Sequence, residues 1–111
     1  MIYKHSYICA LMDFYSDILS PRQKEVLELY YYEDFSLAEI SENLGITRQG
    51  VRDAIKHGEK ALKRFENILG LMEKSKKINQ VAKRIVETTN DKSIKLLAEE
   101  IIAQQINNYS E

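Results

Sequence analysis

Apolar side chains recur along this chain at steps of three and four, the spacing that lines one face of a helix. Tyr7, Ile8, Leu11, Met12, Tyr15 and Ile18 form the first stripe and predict a helix over residues 3–19. Val26, Leu27, Leu29 and Tyr30 form a second, near residues 21–33, with Arg22, Lys24, Glu25 and Glu28 on its wet side. Leu37, Ala38, Ile40 and Leu44 mark a short third helix. A long fourth carries Val51, Ile55, Leu62, Phe65 and Leu69, with Ala54, Gly58 and Ala61 as small neighbours. Beyond Gly70, Ile78, Val81, Ala82, Ile85 and Val86 give a fifth stripe, and Ile94, Leu97, Ala98, Ile101, Ile102 and Ile106 a last. Strand-like alternation is not sustained over any useful length, so the expected fold class is all-α.

The punctuation between the stripes sharpens this. Ser20 and Pro21 suit an N-cap and a first helical position. Glu33-Asp34-Phe35 is a short acidic connection, and like charges at a helix C-terminus oppose its dipole, so the second helix is expected to fray there. Ser36 and Glu39 stand three apart, as the reciprocal bonds of a capping box require. Asn43-Leu44-Gly45-Ile46 reads as a tight turn, Gly45 supplying the positive φ of a helix stop. Thr47 restarts the chain as a second N-cap only two residues later. Two helices so briefly linked have the form of a helix-turn-helix. Gly70 is the expected stop of the fourth helix. Thr88-Thr89-Asn90-Asp91 is a turn and cap cluster, and the chain ends raggedly after Ile106. The expected organisation is a helix-turn-helix domain over residues 1–70 and a helical hairpin over residues 71–111.

Composition narrows the function. Among 111 residues, 44% are hydrophobic and 30% charged, enough apolar material for a core. The net charge is −1, so any case for nucleic acid rests on where the charges lie. The one cysteine, Cys9, excludes an internal disulfide and a Cys-rich zinc site, and fits a reducing compartment. No apolar run is long enough for a membrane span, and His5, Ser6 and Asp13 interrupt the first stripe against a signal peptide, so the expected location is cytoplasmic. His5 and His57 lack ligand-spaced companions, Cys9 reads as a buried, inert thiol, and no phosphate loop or catalytic triad pattern is present. The expectation is a non-enzymatic protein without cofactor or metal. The clustered tyrosines of the first helix read as core-edge rings with their hydroxyls toward water.

The charges are polarised. From residue 47 to 65 stand Arg48, Arg52, Lys56, Lys60, Lys63 and Arg64 against Asp53 and Glu59, a balance of +4. From residue 21 to 46 the balance is −4, Arg22 and Lys24 against Glu25, Glu28, Glu33, Asp34, Glu39 and Glu42. Arg48, Arg52, Lys56 and Lys60 recur at steps of four, opposite the apolar face. On the second helix of a helix-turn-helix, Arg48, Gln49, Arg52 and Asp53 would meet the major groove, where arginine pairs with guanine and glutamine with adenine. Lys56 and Lys60 would contact phosphates. The plainer alternative is a solvated basic face with Asp53 and Glu59 as ion-pair partners.

The segment LSPRQKEVLELYYYEDFSLAEISENLGITRQGVRDAIKHGEKALKRF, residues 19–65, resembles region 4 of bacterial sigma factors and, more closely, the YlxM family of small bacterial proteins. The two C-terminal helices also suit that family. The resemblance implies an all-helical fold and DNA binding through the helix opened by Thr47, with Thr47, Arg48, Gln49, Arg52 and Lys56 as its groove-facing set. It also implies a link to the signal recognition particle pathway, through gene neighbourhood rather than mechanism. No segment supplies the other sigma domains, and Gly50 departs from a good helix former in the first turn, costing roughly 1 kcal/mol relative to alanine. The expected function is a DNA-binding regulator. The alternative is a protein- or RNA-binding adaptor of the signal recognition particle pathway that keeps the motif as scaffold. The hairpin stripes exceed what one small module needs, so Ile78, Val81, Ile85, Ile94, Leu97, Ile101 and Ile102 are the expected homodimer contacts.

Overall fold

The computed structural model describes residues 2–105, with side-chain surroundings from Tyr7 onward. Ile106 and the expected ragged end fall outside these residues, as does the side chain of His5. Within them the chain is helical and contains no strand: α1 Ile2–Tyr15, α2 Pro21–Leu27, α3 Leu37–Leu44, α4 Arg48–Leu69, α5 Leu71–Thr88 and α6 Lys92–Gln104. It divides into two compact units at the Leu69–Gly70 step.

In the first unit α1, α2 and α3 all pack on α4. The core is Ile8, Leu11, Met12 and Tyr15 of α1, Val26 and Leu27 of α2, Ile40 of α3, and Val51, Ile55 and Leu62 of α4. These are the stripes read from the sequence, with two differences. The first helix is shorter than residues 3–19: after Tyr15 the chain tightens into a 3₁₀ turn, Ser16–Ile18, closed by the Leu19 N–H donating to the Ser16 carbonyl at 3.1 Å. This tightening turns Leu19 into the core and leaves Ile18 55% exposed. At the other end of the stripe Tyr7 is exposed as well. The apolar face of α4 likewise ends sooner than expected, with Leu62 buried, Phe65 half-buried and Leu69 exposed.

The end of the second helix is also a correction. It does not open at Glu33 but widens into a π turn, Glu28–Tyr32. There the Glu33 N–H reaches the Glu28 carbonyl at 3.0 Å and the Phe35 N–H reaches that of Leu29 at 2.9 Å. Asp34 closes the turn in the left-handed region, at φ 62°, which short polar side chains tolerate. The extra residue swings Tyr31 and Tyr32 toward different helices. The Tyr31 hydroxyl donates to Glu59 Oε2 on α4, and that of Tyr32 to Asp13 Oδ1 on α1 at 2.8 Å. Tyr15, fully buried, donates to Glu66 Oε1 at 2.5 Å. These three hydroxyls therefore bind carboxylates across helix–helix contacts, and for Tyr15 of the first helix this replaces the water-facing hydroxyl expected there. Burial first, and the carboxylate bond second, push the phenols of Tyr31 and Tyr32 well above the usual tyrosine range, so both remain donors at neutral pH. Cys9 is half-buried rather than fully so, and burial, with Asp13 next to it, raises its thiol.

In the second unit α5 and α6 pack as a hairpin. Asp91 caps α6 by accepting the Ser93 and Ile94 N–H groups at 2.8 and 3.2 Å. The faces that meet are small and polar: Ser75, Asn79 and Ala82 of α5 and Ala98 of α6 are buried. The Ser75 hydroxyl donates to Gln105 Oε1 at 2.8 Å. The long aliphatic side chains mostly lie on the other faces of the two helices. Ile78, Val81, Ile94, Leu97 and Ile101 are accordingly exposed.

Candidate nucleic-acid interface

Three local devices build the motif. Ser36 accepts the Glu39 N–H at 3.1 Å while Glu39 Oε1 accepts the Ser36 N–H at 2.8 Å, so the capping box closes in both directions. Gly45 ends α3 at φ 69°, with its own N–H and that of Ile46 both donating to the Ser41 carbonyl, at 2.9 and 3.2 Å. Thr47 Oγ1 accepts the Gly50 N–H at 2.9 Å and so opens α4. A fourth device was missed from sequence. The Ser41 hydroxyl donates to the Ile46 carbonyl at 2.5 Å, tying the last turn of α3 across the link to the start of α4. Serine in the interior of a short amphipathic helix was the available signal, since its hydroxyl offers the backbone an alternative partner.

The helix thus positioned has 22 residues, about 33 Å at 1.5 Å per residue. Thr47, Arg48, Gln49, Arg52, Asp53, Lys56 and Lys60 are all exposed. They do not form one straight row. A step of four drifts about 40° around a 3.6-residue helix, so Arg48 to Lys60 winds through roughly 120°. Lys56 and Lys60 sit opposite the buried Val51, Ile55, Gly58 and Leu62, and Arg48 and Arg52 lie toward one flank. Lys63 and Arg64, counted in the charge but left out of the expected set, are also exposed on this side.

Each of the three acidic side chains of α4 has a hydrogen-bond donor of its own. Asp53 Oδ1 accepts from Gln49 Nε2 at 3.0 Å, Glu59 from Tyr31 and Glu66 from Tyr15. Among the described residues no carboxylate lies within 4.0 Å of Arg48, Arg52, Lys56, Lys60, Lys63 or Arg64; the salt bridges present are Lys24–Asp17 and Lys77–Glu73. The alternative in which Asp53 and Glu59 pair with basic neighbours is not what the structure shows. Gln49 and Asp53, expected to face bases separately, hold each other.

The expected dimer contacts divide differently. Ile78, Val81, Ile85 and Ile101 line one shallow groove of about 300 Å³, with Lys77 and Ala82. Ile94 and Leu97 are exposed on α6 without entering it, and Ile102 is half-buried. No helix among the described residues is long and apolar enough to cross a membrane.

Comparison with known proteins agrees with this architecture. The profile of a helix-turn-helix family described as YlxM / p13 like matches residues 2–102. A UPF0122 protein of Thermoanaerobacter sp. (strain X514) is 42% identical over 102 residues, covering 86% of this chain and 87% of that protein. A second, from Caldanaerobacter subterraneus subsp. tengcongensis, is 43% identical over 81 residues, 73% of this chain and 69% of its own length. A third, from Oceanobacillus iheyensis, is 38% identical over 94 residues, covering 85% and 90%. That family is one of helix-turn-helix proteins rather than of enzymes. With the match running through both units, from α1 into α6, this chain belongs to the YlxM / p13-like helix-turn-helix family.

Proposed function

We propose that this protein is a non-enzymatic regulator that binds duplex DNA through α4 and acts as a homodimer. The observation that carries the reading is the exposed basic face of α4, six cations with no carboxylate in ion-pair range among the described residues, on a helix whose N-terminal end projects from a capped turn. Arg48, Arg52 and Gln49 occupy the turns that enter a major groove, Gln49 exchanging Asp53 for a base edge on binding. Lys56, Lys60, Lys63 and Arg64 are then phosphate contacts, and Thr47 offers its hydroxyl proton to a phosphate oxygen while still capping the helix. A fluorescent duplex titrated at several salt concentrations tests this. Affinity should fall steeply with salt, by a slope of about −0.9 for each phosphate neutralised. Undetectable binding to a pooled genomic duplex library, or binding indifferent to salt, overturns it.

The dimer rests on the hairpin. Leu97 is 63% exposed and Val81 54%, and the groove beside Ile101 has an aliphatic lining of Ile78, Val81, Ala82 and Ile85. A second copy supplies matching aliphatic side chains in an isologous pairing. Leu97→Asp should convert a dimer to a monomer in sedimentation equilibrium without loss of helix content. A wild-type protein that stays monomeric at high concentration sinks this part of the reading.

A second reading has one observation in its favour: Glu25, Glu33, Asp34 and Glu42 leave an exposed acidic surface on the helices that precede α4. Acidic surface near the recognition helix repels phosphate and suits a protein partner. In that reading the chain is a protein- or RNA-binding adaptor of the signal recognition particle pathway.

A further inference from the structure

We infer that Tyr31 is a positioning residue for the basic face: its bond to Glu59 holds that carboxylate off Lys56 and Lys63, keeping the cations of α4 available for a polyanion. The inference rests on the duplex-binding reading and adds a residue outside the helix-turn-helix to it. Glu59 stands three residues after Lys56 and four before Lys63. On a helix surface both spacings bring side chains together, and glutamate four residues ahead of lysine is the favourable orientation for an ion pair. Left to itself, Glu59 would settle on that face and neutralise a cation. Instead it is half-buried and accepts the Tyr31 hydroxyl, delivered from the π turn 28 residues earlier. The phenol is held as a donor through the neutral range, because burial and the adjoining carboxylate both oppose its ionisation. Tyr32 makes the same kind of bond to Asp13, a carboxylate of α1 and not of α4, and so serves as an internal control.

The test compares Tyr31→Phe, Tyr32→Phe, Glu59→Gln and the Tyr31→Phe/Glu59→Gln double variant in the full chain. Two readouts are used: affinity for a random-sequence DNA duplex across a salt series, and the salt needed for elution from a heparin column. Tyr31→Phe should weaken duplex binding about fivefold, lower the salt slope by about 1 and elute earlier from heparin. Tyr32→Phe should match wild type in both readouts. The double variant should recover wild-type binding, because glutamine left on the face carries no charge. Loss of a structural bond alone predicts no such rescue. A Tyr31→Phe protein that matches wild type on heparin, or a double variant as weak as Tyr31→Phe, overturns the inference. Should wild type fail to bind duplex while the heparin shift and its rescue persist, the duplex reading falls and the role of Tyr31 stands.

Discussion

Gly58→Ala is expected to destabilise the first unit by about 1–2 kcal/mol, and Leu27→Ala by about 2–5 kcal/mol. Together the two should cost less than their sum. A Cβ at Gly58 would lie 2.7 Å from Leu27 Cδ1 and 3.2 Å from its Cγ, distances at which something must move. Leu27 is fully buried on α2, so its methyl groups cannot swing out into solvent to make room. The overlap therefore outweighs the roughly 1 kcal/mol of helix propensity that alanine adds over glycine. Truncating Leu27 removes the obstructing methyl groups and leaves a cavity where the new Cβ sits. In that background Gly58→Ala should stabilise. A urea-denaturation double-mutant cycle reads the coupling directly. Additive losses would mean that the approach of α4 to α2 at Gly58 is looser than the geometry states. The contact bears on the interface because it fixes the rotation of α4, with Lys56 and Lys60 on the face turned away from Leu27 and Arg48 and Arg52 toward one flank.

Gly58 also shows where a reading of the sequence stops. It was visible there only as a small residue on an apolar stripe; that α2 closes on it required a tertiary contact. What is local was legible. Ser36, Glu39, Gly45 and Thr47 act within four residues of themselves, so composition and spacing were enough to place the turn, its caps and the start of α4. The stripes Ile8–Leu11–Met12–Tyr15 and Val51–Ile55–Leu62 were legible for the same reason, since periodicity encodes which face is buried. The π turn was not. It depends on Tyr31 and Tyr32 reaching partners on two different helices, and local charge logic at Glu33 and Asp34 pointed to fraying instead. Nor was the pairing of acids with tyrosines, which joins Tyr15 to Glu66 across 51 residues. The charge count over α4 was correct as arithmetic, but which carboxylates neutralise which cations is decided by packing. In the hairpin the stripes included Ala82 and Ala98, but the burial of Ser75 and Asn79 beside them, with the larger aliphatic residues left outside, was not legible, because hydrophobicity alone ranks isoleucine and leucine ahead of serine and asparagine.

Reversing both arginines at the head of α4, Arg48→Glu with Arg52→Glu, is expected to abolish specific duplex binding and leave the fold unchanged. Each side chain is exposed and in no ion pair among the described residues, so its removal takes nothing from the core and leaves no buried group unsatisfied. Circular dichroism and the melting temperature should match wild type. Binding should not. Losing an arginine that reads a guanine edge costs about 1–3 kcal/mol, and two such losses reach roughly 2–6 kcal/mol before any repulsion from the new carboxylates. The neighbouring Gln49–Asp53 bond sharpens the comparison. Arg48→Ala and Arg52→Ala singly should relax sequence preference more than they lower affinity for random duplex. Lys60→Ala should do the reverse, lowering affinity for every sequence and reducing the salt slope by about 1. That division of labour follows from the winding of the basic residues around α4, with base-reading groups in its first turns and phosphate contacts beyond. If the double reversal leaves DNA footprints intact, α4 is not the reading helix. If no footprint exists and a protein or RNA partner is retained through the reversal, the acidic surface of α2 and α3 becomes the functional face and α4 its support.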